Sequence, residues 1–372
     1  MLETRRSILR DFGFAPDVAD RLLGALTRPL PATCPDARRV SLGNELFVPD
    51  WIECCLDAAA RGAVPALQDV LFQLNFPVAG GVSGTPEYQA LALAGSTSLA
   101  EVRHSLTLGP ATWEKPDALR VFMHETGAGL LPVIAAGCRA DFVTLVRALG
   151  HRNEPAPVPA SMGSNFLNGL TNRRRYLLVR EALASGVLSP AMRDPSLWKD
   201  RLLLLSPGPY SGVAASEMKL DDAAWIARST AIRLHHESCH YAVRRLFPAL
   251  KFGIQDELVA DFAGLTGATG RFRADDFLRF MGLEDFPAYR AGGRFENYHA
   301  DLTTEPGAAE ALRCLLVNAA RNVEGFFAAW DAVRLATHGL QAQVVLTHLP
   351  LEVLASAKHA ASALADALGA AR

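Results

Sequence analysis

One segment, residues 221–247, limits most strongly what this chain can fold into. It carries an H-E-x-x-H motif at residues 236–240, and neither Gly nor Pro interrupts it. Asp221 or Asp222 can cap its start, because a carboxylate accepts hydrogen bonds from the first backbone amides of a helix. Pro248 follows directly and cannot continue a helix. The segment therefore predicts one long α-helix.

The two histidines of the motif would lie on one face of that helix. His236 and His240 are four residues apart, which places them one turn above each other. At roughly 100° per residue they share this face with an apolar stripe. The stripe consists of Trp225, Ile232, Val243 and Phe247. Polar groups on such a face are costly to bury without a partner, and a metal ion bound by both imidazoles is one such partner.

A second pair follows the motif. Glu257 and Asp261 are again four residues apart, on a second predicted helix. A loop at residues 248–253 can turn this helix back, so that Glu257 becomes a third ligand and one zinc position stays open. Asp261 can then accept the other ring N–H of His236, which would fix the tautomer of that histidine. Glu237, beside the first histidine, is placed to act as a base on a water that the metal activates.

An H-E-x-x-H motif followed on a second helix by E-x-x-x-D resembles the gluzincin branch of the zinc metallopeptidases. The resemblance covers residues 236–261. It implies one Zn²⁺ per chain with His236, His240 and Glu257 as ligands, and Glu237 as the general base. It also implies a mixed α/β subdomain and a helical subdomain. The metzincin branch is excluded, because its motif continues with Gly and His where this chain has Val243 and Leu246.

Another interpretation of the motif needs no metal. The two histidines can be core residues that hydrogen-bond to their neighbours, with Glu237 in solvent. Under that interpretation the chain is a binding or structural protein that retains only the helix of a zincin.

The chain length predicts two domains, and the strands and helices predicted along the chain predict an α+β fold. The chain has 372 residues, of which 50% are hydrophobic and 20% charged, as in globular proteins. Three alternating prolines at residues 154–159 favour extended backbone. We therefore place the predicted boundary there, with a mixed N-terminal domain at 1–153 and a mainly helical, zincin-like domain at 154–372.

The net charge and the cysteine content indicate which binding partners and which cellular compartment to expect. A net charge of −2 with mixed signs gives no reason to expect nucleic acid or an anionic membrane as a partner. The six cysteines form no C-x-x-C pair, and the first residues lack the apolar core of a signal peptide. We expect a cytoplasmic protein with six free thiols. Cys239 lies inside the motif but about 60° from His236 around the helix, so it should pack rather than bind metal.

Two further segments contain candidate substrate-binding groups. Residues 201–205 (RLLLL) predict a short buried strand, which either offers an edge to a substrate peptide or lies inside a sheet. The loop at residues 286–299 carries Tyr298 and His299, either of which can stabilise an oxyanion. Arg294 in the same loop can hold a substrate carboxylate.

These features lead to one expected function and a related alternative. The expected function is a gluzincin-type zinc hydrolase, peptidase-like, acting on a peptide or a small molecule. The alternative keeps the metal but assigns it to a biosynthetic enzyme with a non-peptide substrate.

Overall fold

The computed structural model of the chain has an α+β fold, as predicted. Helices predominate, and the strands form one small mixed sheet. None of the helices in the described part of the chain is long and apolar enough to cross a membrane. The residues that the structure describes are 2–31, 33–37, 42–94, 108–187, 197–298 and 307–369.

The chain divides into two compact units. The sheet unit comprises residues 43–208, and the helical unit comprises residues 1–42 together with 209–372. Each unit has a hydrophobic core of its own.

The sheet unit is built on four strands in the order β1-β2-β4-β3. The strands are β1 (Arg120–Thr126), β2 (Gly129–Ala135), β3 (Ser164–Thr171) and β4 (Lys199–Leu205). β1 and β2 form an antiparallel hairpin, β4 runs parallel to β2, and β3 is antiparallel to β4. The strand predicted at residues 201–205 is thus β4, and it lies inside the sheet rather than at an edge.

Helices and a buried ion pair complete the sheet unit. Its longer α-helices are α3 (Val48–Arg61), α4 (Ala63–Val70), α5 (Arg139–Leu145) and α6 (Arg173–Ala184). Asp200 on β4 is fully buried and accepts hydrogen bonds from Trp51, Asn172 and Arg175. These contacts join α3, the start of α6 and the sheet.

The helical unit contains nine of the helices that the structure describes. The first two are α1 (Leu2–Asp11) and α2 (Pro16–Ala25). Those that follow the sheet unit are α7 (Asp222–Leu246), α8 (Ile254–Thr269), α9 (Ala274–Met281), α10 (Ala308–Phe327), α11 (Ala332–His348), α12 (Leu351–Ala355) and α13 (Ala360–Gly369). The long helix predicted from the H-E-x-x-H segment is α7, and the Asp221 side chain caps it by accepting a hydrogen bond from the Ala224 amide at 2.8 Å.

The two units do not follow the boundary predicted at residue 153. β3 and β4 come after that position, yet they hydrogen-bond into the same sheet as the hairpin before it. The first 42 residues belong with the helical unit, where Arg5 pairs with Glu352 and Arg28 pairs with Asp256. Long-range strand pairing determines one part of this division, and the packing of the first two helices into the core of the helical unit determines the other. Neither leaves a signal in the local sequence.

Close packing of α7 against α8 depends on glycine. A Cβ atom added at Gly264 of α8 would lie 2.9 Å from the backbone oxygen of Ile232 on α7. One added at Gly267 would lie 2.5 Å from the His235 ring. Because both positions lack a side chain, α8 approaches α7 closely enough for the carboxylates of α8 to reach the histidines of α7.

This packing predicts opposite effects for two Gly→Ala substitutions. Gly264→Ala should lower the free energy of unfolding by about 1–3 kcal/mol, because the added methyl group collides with backbone. Gly339→Ala, on α11 where nothing lies within 4 Å of the added Cβ, should raise it by about 0.5–1 kcal/mol. Urea unfolding of both variants measures the difference. Equal effects would mean that the approach of α7 and α8 does not require Gly264.

Candidate metal centre

Three side chains from α7 and α8 converge on one point. The Nε2 atoms of His236 and His240 lie 3.2 Å apart. A carboxylate oxygen of Glu257 lies 3.4 Å from Nε2 of His240, and its other oxygen lies 3.7 Å from Nε2 of His236. Their donor atoms all lie within 4.8 Å of one another, as the ligands of a single metal ion would.

These separations suit a zinc ion. Zinc binds His nitrogen and carboxylate oxygen at about 2.0–2.2 Å, usually in tetrahedral geometry. Two ligands of such a site are then roughly 3.3 Å apart, close to the separations found here. Two imidazoles and one carboxylate fill three positions of a tetrahedron and leave the fourth open. The residues present therefore fit a catalytic type of zinc site.

The face of His236 opposite the convergence point is held by Asp261 and Tyr210. Nδ1 of His236 lies 2.8 Å from Oδ1 of Asp261 and 2.8 Å from the Tyr210 hydroxyl. The Tyr210 hydroxyl itself donates to the same Asp261 oxygen at 2.6 Å. With Nδ1–H directed at Asp261, the lone pair of His236 is on Nε2 and faces Glu257 and His240. The contact predicted between Asp261 and His236 is thus present.

Arg294 joins two carboxylates of α8, those of Glu257 and Asp261. Its guanidinium donates to Glu257 at 3.2 Å, to the Tyr210 hydroxyl at 3.0 Å, and to Asp261. Arg294 was predicted to hold a substrate carboxylate, but it is already committed to the carboxylates of the protein. Its position instead neutralises two buried acids beside the histidines.

The buried charges shift the pKa values of the site. Burial opposes ionisation of Glu257, yet His240, His236 and Arg294 hold the pKa of Glu257 well below its ordinary value. Burial also opposes ionisation of Asp261, and Arg294 and His236 hold its pKa below normal. Burial, together with the Asp261 charge, raises the pKa of Tyr210 far above normal, so its hydroxyl remains a donor. Both acids are therefore carboxylates, as a metal ligand and its supporting group must be.

The remaining residues of the motif lie as predicted around the helix. Glu237 is half-buried. Burial opposes protonation of His240, yet Glu257 and then Glu237 raise the pKa of His240 above its ordinary value. Cys239 is buried and its thiol lies 3.8 Å from the Val259 carbonyl, so it packs and is not part of the metal-binding group. All six cysteines are free thiols in the structure.

Two aromatic residues adjoin the ligands. The ring of Phe252 stacks on His240 with the ring centroids 4.8 Å apart. Tyr298 lies beside Glu257, and burial followed by the Glu257 charge raises the pKa of the Tyr298 hydroxyl. His299, the other predicted oxyanion donor, lies outside the described residues.

Sequence reasoning did not identify Tyr210 or Phe252 as part of the site. Tyr210 precedes α7 by a loop, and Phe252 belongs to the turn between α7 and α8. No residue spacing connects either of them to the motif, because both reach the site through tertiary packing. The one local indication concerns Tyr210, which lies in the segment rich in Pro and Gly between the strand at residues 201–205 and α7.

Comparison with known proteins places the chain in a family without giving it a function. Residues 7–358 match a family of unknown function (DUF7005), and the chain belongs to that family. No curated protein and no solved structure matches it.

The geometry predicts one zinc ion per chain, bound through the two histidines. His236→Gln combined with His240→Gln should abolish stoichiometric zinc, because the remaining carboxylate cannot hold the ion alone. His235→Gln, a neighbouring change on the same helix, should leave zinc content at the wild-type level. Elemental analysis of the three purified proteins provides the comparison, and zinc that survives the double substitution would overturn the ligand assignment.

Asp261→Asn should weaken zinc binding about 10–100-fold without loss of the fold. The reason is that an uncharged amide is a weaker acceptor for the N–H of His236 than a carboxylate is. Asp222→Asn, an exposed acid in the first turn of α7, serves as the matched change and should have no effect. Competition with a chelator measures both affinities. Equal affinities in the two variants would show that Asp261 does not support the metal site.

Proposed function

We propose that this protein is a zinc-dependent hydrolase of gluzincin type with peptidase-like chemistry. The observation that supports it most is the convergence of His236, His240 and Glu257, with Glu237 next to the first histidine. The same residues carry the sequence resemblance, so local sequence and tertiary geometry agree. The free thiols are compatible with the cytoplasmic location that we propose for it.

His236, His240 and Glu257 would hold the ion. Zinc in such a site lowers the pKa of a bound water towards about 7 and polarises the carbonyl group of the substrate. Asp261, Tyr210 and Arg294 keep His236 and Glu257 oriented through the hydrogen bonds described above.

Glu237 would act as the general base and then as the general acid. It accepts a proton from the attacking water and donates it to the leaving group as the scissile bond breaks. Its place on α7 is rotated roughly 100° from His236, which directs it beside the ion rather than at it. The Tyr298 hydroxyl, a donor next to Glu257, would stabilise the oxyanion that develops on the substrate.

A cavity that shares two wall residues with the surroundings of the candidate metal centre would hold the substrate. Its volume is about 690 Å³, and Phe252 and Tyr298 form part of its wall. Phe252 also contacts His240 and Tyr298 lies beside Glu257, whereas none of the three ligands lines the cavity itself. Cavities of this size hold small molecules.

The size of this cavity favours a small or specialised substrate over an extended polypeptide. β4, a possible partner strand for a substrate peptide, has neighbours on both sides and offers no free edge. A non-peptide substrate in a biosynthetic reaction is therefore the second candidate. Both candidates use the same ion and the same base, and hydrolysis of a peptide library compared with a panel of small amides and esters separates them.

Glu237→Gln should retain zinc and stability but lose turnover about 10²–10⁴-fold, because an amide cannot accept the proton. Glu324→Gln provides a matched control, since Glu324 is also a half-buried helical glutamate but lies on α10. Turnover is measured on the best substrate from the screen, together with zinc content. Wild-type turnover in Glu237→Gln would contradict the proposed chemistry, and loss of zinc would show that Glu237 is a ligand or a structural residue.

A further inference from the structure

A second cavity of the helical unit is lined mainly by charged side chains. Its volume is about 540 Å³. The lining comes from the turn before α7, from α7 itself, from the connection between α8 and α9, and from α9. Five of its residues are basic, four are acidic, and only Met218 and Leu278 are apolar. None of these residues belongs to the metal centre.

Three of the four acids have a basic partner within 4 Å. Glu217 pairs with Arg279 at 4.0 Å. Glu284 pairs with Arg290 at 2.5 Å, and Asp275 with Arg321 at 3.9 Å. The acids therefore do little to neutralise the remaining bases.

Four basic side chains of the cavity have no such partner among the described residues. They are Lys219, Arg228, Arg271 and Arg273. The one remaining acid is Asp276, on which Arg273, Arg279 and Arg228 all act electrostatically. Arg228 and Arg273 thus come from separate elements and act on the same carboxylate, and Lys219 and Arg271 add two further bases to the lining. The lining as a whole has five basic and four acidic side chains, which leaves one positive charge in excess.

This charge distribution indicates the chemistry of a ligand. Arginine side chains bind phosphate groups through paired N–H donors, and several of them in one concavity concentrate the positive potential. The scarcity of apolar lining leaves little surface for a nucleobase, a lipid chain or an aromatic ring. A cavity of this volume accommodates a small molecule.

We propose that this cavity is a binding site for a compact small molecule with two or more closely spaced negative charges, such as a diphosphate or a sugar bisphosphate. Lys219, Arg228, Arg271 and Arg273 bind the anionic groups. The proposal is independent of the zinc hydrolase function, because the two sets of residues do not overlap.

Inorganic pyrophosphate is the probe, titrated into the full-length protein by calorimetry at about 0.1 M salt, where distant surface charges are screened. The triple variant Arg228→Gln, Arg271→Gln, Arg273→Gln should weaken binding at least about tenfold, because the donors that pair with phosphate are lost. The control triple variant Arg120→Gln, Arg152→Gln, Arg334→Gln makes the same change in net charge at exposed positions elsewhere and should change affinity less than about twofold.

Pyrophosphate also binds zinc, so the titration is repeated on the variant that lacks both metal-site histidines, where binding should persist. Loss of binding in that variant, equal weakening in the two triple variants, or no binding to the wild type would each overturn the proposal. If thermal unfolding shows that the cavity variant does not fold, Arg271→Glu alone replaces it and should still weaken binding.

Discussion

Two carboxylates buried beside two histidines are the constraint on which the candidate metal centre depends. Glu257 and Asp261 are on α8, and both are withdrawn from solvent. Removing an ion from water costs several kcal/mol in a protein, so buried carboxylates persist only where positive charge and hydrogen-bond donors surround them. Arg294, Tyr210 and the histidines of α7 provide these partners. The closeness of α7 and α8, which Gly264 permits, brings these groups within reach of each other.

The hydrogen bonds around Glu257 and Asp261 also help to distinguish a metal-binding site from a metal-free structural one. Arg294 neutralises part of the charge of Glu257 and Asp261. A site with a purely structural role and no metal would require such a partner. Arg294 does not, however, explain why Nε2 of each histidine faces the other at 3.2 Å, with Glu257 beside both. A shared cation stabilises this arrangement, in which two imidazole nitrogens and a carboxylate face one another with no apolar group between them.

Local sequence predicted the part of the site that depends on helical periodicity. Spacing of four residues was enough to place His236 above His240, and Glu257 before Asp261. The roles of Arg294 and Tyr210 could not be predicted, because loops far apart in sequence bring them to the same carboxylate. The division of the chain was missed for a similar reason. Residues 1–42 join the helical unit through packing of the first two helices into its core, and β4 joins the hairpin of β1 and β2 through pairing that crosses the predicted boundary.

The most direct test of the metal centre is the coordination shell of zinc in the loaded protein. X-ray absorption at the zinc edge reports the distance and the type of each ligand atom. The account predicts nitrogen and oxygen ligands only, at about 2.0–2.2 Å, with the scattering pattern of two imidazoles. A sulfur ligand at about 2.3 Å would place a cysteine on the ion, and fewer than two imidazoles would contradict the site formed by His236, His240 and Glu257.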